Sequence, residues 1–234
     1  MASTLLDFVY PRRCMACGAD LYDRDTEHLC AACWAGVEPL GERKCPRCAA
    51  AQGPYAEQDE CLACKGWSLH FRGATAFGHY EGPMRELIRR FKYHRCSFLT
   101  GPLGQLLSRQ IEREAFADEL EVVVPVPLHW RRRLERGFNQ SELLAREVAR
   151  ELHLPLAARA MVRTRFTPPQ AQLDSAARRR NLTDAFRVRQ PERIRGKTVL
   201  LIDDVMTTCS TQAECAKTLR AAGARRVVAA AVAR

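Results

Sequence analysis

Val199-Leu200-Leu201-Ile202-Asp203-Asp204-Val205-Met206-Thr207-Thr208-Cys209-Ser210-Thr211 decides the fold. An unbroken apolar run without alternation fits a strand covered on both faces, the environment of a parallel sheet. Two carboxylates follow at its C-terminal end, where open α/β sheets place their ligands, and small hydroxyl residues then lead into a helix. The first N–H groups of such a helix are unpaired and partly positive, so they suit a phosphate. Hydroxyls add donors, and the carboxylates can accept from sugar hydroxyls or hold Mg²⁺ through water. A surface turn would explain a bare Asp-Asp pair, but not the apolar run and hydroxyl loop joined to it.

Outward from this stretch, strand and helix signals alternate. Downstream, a helix is expected over about 210–222, ending near Gly223 and feeding a strand over 227–232. Upstream, 76–80 reads as a strand and 82–95 as a helix, with Pro83 suited to the first helical position. Leu103, Leu106, Leu107 and Ile111 mark one helical face, and Val122-Val123-Val124 ends a strand ahead of Pro125-Val126-Pro127. Asn139 can cap a helix to about Leu152, with Glu142 placed for a capping box and Leu143, Leu144, Val148 and Leu152 facing inward. The order is that of an α/β domain with a parallel sheet over 71–234.

The first 70 residues follow a different logic. Cys14/Cys17, Cys30/Cys33, Cys45/Cys48 and Cys61/Cys64 are four Cys-x-x-Cys pairs, and the first two recur 31 residues later as the last two, so 14–33 and 45–64 form an internal repeat. Two thiolates three residues apart can face one metal, and a second knuckle completes a tetrahedral four-sulfur shell. Four sulfurs leave no place for water, so two structural zinc ions are expected, with iron the alternative tetrahedral metal. A disulfide framework does not suit such short loops in a reducing compartment. The spacing leaves sequential and interleaved pairing of the knuckles open. A module of this size cannot bury enough apolar surface alone, so the metal would supply folding energy.

Charge separates the two parts. Residues 1–70 carry 7 Lys+Arg against 10 Asp+Glu, a balance of −3, whereas 71–234 carry 30 against 17, a balance of +13, within a chain of 234 residues and net charge +10. Thiolate-bound zinc makes the first module more negative still, so a polyanion such as single-stranded DNA should dock on the arginine-dominated second part, in a salt-sensitive way. No stretch reaches the roughly 20 apolar residues of a membrane span, and the N-terminus lacks the pattern of a secretory signal, so no membrane insertion and a cytoplasmic location are expected.

The decisive stretch resembles the phosphoribosyl pyrophosphate (PRPP) signature of type I phosphoribosyltransferases. Further matches narrow the resemblance to the ComF family. They are Tyr80-x-Gly82 with Leu87, Ile88 and Lys92; Pro125-Val126-Pro127 with Arg131, Arg136-Gly137-Phe138-Asn139-Gln140 and Leu143-Leu144-Ala145; Thr167-Pro168-Pro169-Gln170 with Leu173, Arg178, Asn181 and Ala185-Phe186; and the cysteine-rich N-terminus. The resemblance covers essentially the whole chain. It implies a double zinc ribbon attached to a phosphoribosyltransferase-like domain and an association with DNA uptake in natural competence, through protein partners of that machinery. Mg²⁺-PRPP or a related nucleotide would bind with Asp203 and Asp204, as catalytic acids, on the ribose hydroxyls, and Thr207, Thr208, Cys209, Ser210 and Thr211 on the 5′-phosphate. Arg131, Arg136 and Arg178 are candidates for pyrophosphate or a second substrate, against the plainer reading of a solvated basic face. An alternative role is non-catalytic binding of nucleotide or single-stranded DNA, for which Trp130, Phe138, Phe166 and Phe91 read equally as stacking residues or as core.

One position departs from the pattern, since the usual phosphate-loop glycine is Cys209 here. Glycine serves where φ is positive or a ligand approaches the backbone closely. Cys209 is expected at the mouth of the cradle, with a thiol pKa lowered by the following helix N-terminus and alkylation faster than at Cys96 and Cys215, which read as small core residues; the alternative is that Cys209 itself points into the core as a small apolar residue. Neutralising Asp203 and Asp204 together is expected to leave the fold intact, since both are placed at an exposed strand end.

Overall fold

The computed structural model describes residues 12–21, 28–53, 61–62, 64–93, 96–166 and 182–234. Thr167 to Gln170, Leu173, Arg178 and Asn181, and the expected end of a helix at Arg95, lie outside the described residues.

Four parallel strands form the central sheet: β3 (Gly73–Gly78), β4 (Val122–Pro125), β7 (Thr198–Val205) and β8 (Arg226–Ala233), in the order β3-β8-β7-β4. Leu200 pairs with Val124's neighbour Val123 on one side and with Val228 on the other, so the apolar run is central. Alternate residues of β7 supply two cores. Val199 and Leu201 face α6 (Ser210–Ala221), through Ala213, Cys215, Ala216 and Leu219. Leu200 and Ile202 face α2 (Gly82–Tyr93), α3 (Thr100–Glu112) and α5 (Gln140–Glu151), through Ile88, Phe91, Leu107, Ile111, Leu144 and Val148. Both faces are covered, as the continuous apolar strand requires. A short antiparallel pair, β5 (Met161–Arg163) with β6 (Phe186–Val188), stands outside this sheet.

The expected elements are present with small shifts. β3 starts and ends earlier than its apolar run suggested, because its register follows β8 from Gly73↔Val228 to Gly78↔Ala233. Asn139 caps α5, its side-chain oxygen accepting from Ser141 N at 3.2 Å. Glu142 does not spend its carboxylate on a capping box but meets Arg133 and Arg146 at 3.3 and 3.5 Å. Leu106, Leu143 and Leu152 are only partly buried, at the edges of their helical stripes.

The ribbons clasp the sheet from both sides. The first four cysteines lie on and around β1 (Arg12–Arg13), β2 (Asp20–Leu21) and the single-turn α1 (Ala31–Ala35): Cys14 and Cys17 in the turn between the strands, Cys30 capping α1 and Cys33 within it; Cys14, Leu21 and Leu29 join the α2–α3–α5 core. Cys45, Cys48, Cys64, Leu69 and Phe71 join the α6 core. Between the two ribbons the chain docks on β3: Leu40 N donates to Phe77 O at 2.8 Å and His79 N to Glu38 O at 3.1 Å. Gly78 permits this approach, since a Cβ there would stand 2.6 Å from Glu38 O. A half-buried ion pair fastens the same seam: Lys44 meets Glu114, which also accepts from Thr75 at 2.6 Å and Gln110 at 2.7 Å. Gly104 serves the α3–α5 crossing, where a Cβ would lie 2.4 Å from Glu147 Cγ.

Candidate functional site

β7 delivers Asp203 and Asp204 to opposite sides of its C-terminal end, because successive strand residues alternate faces. Asp203 is satisfied by its own surroundings. Its Oδ1 accepts from Ser141 Oγ at 2.8 Å and Asp204 N at 2.9 Å, and its Oδ2 from Gln212 Nε2 at 2.5 Å. Burial and the neighbouring charge of Asp204 nevertheless push the Asp203 carboxyl up to about 7. Asp204 is 7% exposed and accepts Lys92 Nζ of α2 at 2.9 Å. Burial disfavours the Lys92 ammonium, but the charge and hydrogen bond of Asp204 outweigh it and the pKa is raised.

These groups line a cavity of about 180 Å³ together with Arg132, Arg136, Arg163, Ser141 and Thr211. The wall opposite the carboxylates is therefore cationic. Arg163 and Arg132 are both lowered by burial, with Arg163 further lowered by the charge of Arg132 and Arg132 by that of Arg136. A larger groove of about 780 Å³ continues from it past Trp130, Arg133, Arg159, Arg163 and Arg189.

The hydroxyl loop follows β7. Thr207 is exposed, Thr208 Oγ1 and Ser210 Oγ lie 2.8 Å apart, and Cys209 precedes α6 with φ +58° and ψ +10°. The left-handed backbone that glycine supplies in the family pattern is retained, at a cost of about 1 kcal/mol for a residue with a Cβ. Thr211 reaches the cavity wall.

Of the three candidate arginines, Arg136 lines the cavity, Arg131 is exposed outside it, and Arg178 falls outside the described residues. Arg131, on α4 (Trp130–Arg136), instead lies over the rings of Trp130 and Phe166 at 5.3 and 5.4 Å. Lys92, Ser141, Gln212, Arg132 and Arg163 complete the site. Ser141 and Gln212 sit just inside helices whose starts were legible, whereas Arg163 comes from β5 with no local motif. Among the stacking candidates, Phe91 is fully buried and Phe138 partly so, while Trp130 and Phe166 are exposed at 59% and 46%.

Cys209 is placed differently from the expectation. It is 2% exposed, its Sγ directed at the second ribbon, and hydrogen bonding with Cys48 together with burial pushes its thiol pKa well up rather than down. The α6 N–H groups do not activate a sulfur that leaves the loop for the core. Cys215 is buried as expected and Cys96 is partly exposed. With zinc in place, iodoacetamide should label Cys96 before Cys209 and Cys215; peptide mass spectrometry over a labelling time course reads the order.

The eight paired cysteines gather into two clusters, Cys14, Cys17, Cys30, Cys33 and Cys45, Cys48, Cys61, Cys64, with sulfurs within 4.8 Å of one another in each. The knuckles therefore pair sequentially. Cys17 and Cys30 sulfurs are 3.8 Å apart and Cys48 and Cys61 sulfurs 3.6 Å, close to the edge of about 3.8 Å of a tetrahedron with Zn–S bonds of about 2.3 Å. The residues fit structural zinc, which would bind as a closed four-thiolate site with no open position for chemistry.

A double zinc ribbon domain model matches residues 5–65, and a phosphoribosyl transferase domain model matches 139–234. The chain is 37% identical over 204 residues to the DNA utilization protein YhgH of Escherichia coli (strain K12), covering 85% of this chain and 87% of that one. It is 30% identical over 219 residues to Competence protein F of Haemophilus influenzae, covering 92% and 93%. Competence protein ComFC of Bacillus subtilis shares 27% over 191 residues, covering 79% and 75%. No helix among the described residues is long and apolar enough to cross a membrane.

Proposed function

Because the chain belongs to the ComF family, a double zinc ribbon joined to a phosphoribosyltransferase-like domain, we propose that it binds PRPP or a related nucleotide at the end of β7 and serves DNA utilization or uptake. The observation that carries this reading is the juxtaposition, in one cavity, of the Asp203-Asp204 pair and a cationic wall, with the hydroxyl loop leading into α6 beside it. A phosphoribosyl ligand has the complementary ends: ribose hydroxyls that donate to carboxylates, and phosphates that accept from arginines and helix N–H groups.

Asp204 would receive the ribose hydroxyls, with Lys92 holding it in place. Asp203 would orient Ser141 and Gln212 around it. The 207–211 loop would take the 5′-phosphate, and Arg132, Arg136 and Arg163 would stabilise pyrophosphate charge, the electrostatic part of any transfer at the anomeric carbon. Both Asp203 oxygens are already engaged and Asp204 is paired with Lys92, so Mg²⁺ fits as an ion brought by the pyrophosphate rather than one ligated by these carboxylates in advance. Bound there, Mg²⁺ would offset the charge of the departing pyrophosphate. Calorimetry with Mg²⁺-PRPP, followed by pyrophosphate release across a panel of bases, tests the reading. Absence of binding by both PRPP and nucleoside phosphates would overturn it.

A second role is favoured by one feature of the surface. Exposed Trp130 and Phe166 alternate with Arg131 and Arg132, and exposed Tyr93 lies 4.9 Å from Arg136, beside the long basic groove. Rings between cations suit single-stranded nucleic acid, each base stack contributing about 1–3 kcal/mol. Trp130→Ala with Phe166→Ala in the full chain should weaken single-stranded DNA binding by at least about tenfold, with little change in its salt dependence, because phosphate contacts remain. Fluorescence anisotropy over a salt series reads both; unchanged affinity would remove these rings from the interface.

The raised pKa of Asp203 gives a pH signature. Between its ordinary value of 3.8 and about 7 the folded chain retains a proton that the unfolded chain has released. The unfolded state then binds fewer protons, so stability falls as pH rises through this window. Denaturant unfolding from about pH 5 to about pH 8 should show this fall in the parent protein and a flatter profile in Asp203→Asn.

A further inference from the structure

Cys209, where the family pattern has glycine, carries a side chain that leaves the phosphate loop for the second four-cysteine cluster, its Sγ 4.0 Å from the Cys48 carbonyl oxygen. Arg234, following β8, spans the same gap. Its Nη1 donates to the Thr207 carbonyl at 2.7 Å and to Cys209 Sγ at 3.2 Å, while Nη2 donates to Cys48 Sγ at 3.2 Å. One planar guanidinium therefore holds the loop backbone through one nitrogen and a ligand sulfur through the other. Its own backbone is fixed between Gly78 O and Tyr80 N, at 2.9 and 2.8 Å, so the fork has little freedom to follow either partner. The first cluster lies over the opposite face of the sheet, with Cys14 in the α2–α3–α5 core.

We propose that Arg234 and Cys209 are positioning residues that fasten the 207–210 loop to the second zinc site, so that filling this site and ordering the loop form one coupled equilibrium. Zinc holds Cys48 as a thiolate at a fixed vertex, where an N–H···S bond from a guanidinium is charge-assisted and directional. Without the metal the vertex is no longer fixed, and Arg234 loses the anchor that orients it toward Thr207 O. Coupling of this kind is reciprocal: whatever orders the loop also retains the metal. The side chain at position 209 thus has a use that glycine could not serve, at the price of a left-handed backbone. The argument needs no ligand in the loop, so it stands apart from the PRPP reading.

The test uses the full chain loaded with cadmium-113 in place of zinc, giving one resonance per four-sulfur site, each assigned through its cysteine β protons. Metal is withdrawn stepwise with a chelator at low temperature, and amide hydrogen exchange is followed in 207–213 and in α5. Loss of the second-site signal should speed exchange in 207–213 by about tenfold while α5 stays protected, a coupling within the usual range. Arg234→Met should show the fast loop with both sites loaded and should move only the second-site resonance. Arg234→Lys, which keeps the charge but not the fork, should restore part of both. Loop exchange that is the same with the second site full and empty overturns the proposal, as does exchange that rises equally in α5. So does an Arg234→Met protein with neither the resonance nor the loop altered. Should Arg234→Met fail to fold, the withdrawal series on the parent chain decides alone.

Discussion

Asp204→Asn is expected to destabilise the protein by about 3 kcal/mol, because it removes the charge facing a buried lysine. The Lys92 and Asp204 side chains are 18% and 10% exposed and meet at 2.9 Å, whereas Asp203 has both oxygens engaged by Ser141, Gln212 and the Asp204 N–H and is poorly placed to take over. Breaking such a pair from one side leaves a largely desolvated ammonium without its counter-charge, which costs more than the pair itself contributes. For a chain of this size the loss corresponds to a fall in Tm of about 6–12 °C. Lys92→Met should be destabilising as well, while Lys92→Met combined with Asp204→Leu should recover most of the loss. Calorimetric scans of the three variants check the pattern. An Asp204→Asn protein within about 0.5 kcal/mol of the parent would mean that water reaches the pair. Neutralising both acids is thus no longer expected to leave the fold undisturbed: the strand end is roofed by α2, and Asp204 is part of the structure as well as of the site.

The difference has a physical origin. Local pattern carried the β7 run, the α6 start and the Asn139 cap, since each depends on neighbours within one turn or on the facing of a single strand. The cysteine repeat likewise pointed to two four-thiolate sites but left the pairing of the knuckles open, and the folded chain brings them together sequentially. What the sequence did not reveal depends on contacts between distant segments. Lys92 reaches Asp204 from a helix more than one hundred positions away, Arg163 enters the cavity from the β5–β6 pair, and Arg234 joins the 207–210 loop to Cys48. Cys209 shows the limit most clearly. The helix N-terminus beside it is a local feature that lowers thiol pKa values in general, but the direction of its side chain is set by a ribbon 161 positions earlier, and that direction reverses the expected shift.

Withdrawing both zinc ions from the full chain should lower Tm by more than about 10 °C and keep a single unfolding transition, rather than melt the ribbons alone. Four-thiolate zinc contributes apparent folding energies of about 10–16 kcal/mol in small modules, which is comparable to the whole margin of an ordinary domain, about 5–15 kcal/mol, so even a fraction of it moves the transition. The fraction is transmitted because the ribbons are not appended to the sheet but built into both of its cores. Cys45, Cys48 and Cys64 share a continuous apolar cluster with Val199, Leu201 and Leu219, and Cys14 shares the other with Leu200, Ile202 and Phe91. Loss of the four-sulfur shells would uncover Leu69, Phe71, Leu21 and Leu29 and the sheet faces beneath them. Residues 71–234 alone would expose the same faces, so the charge argument for DNA binding is best tested in the intact chain. Differential scanning calorimetry of metal-loaded and chelated protein, with metal content measured alongside, gives the answer. Two separated transitions, or a chelated chain whose main transition is unmoved, would show that the sheet stands without its ribbons; metal analysis finding fewer than two ions per loaded chain would remove the premise itself.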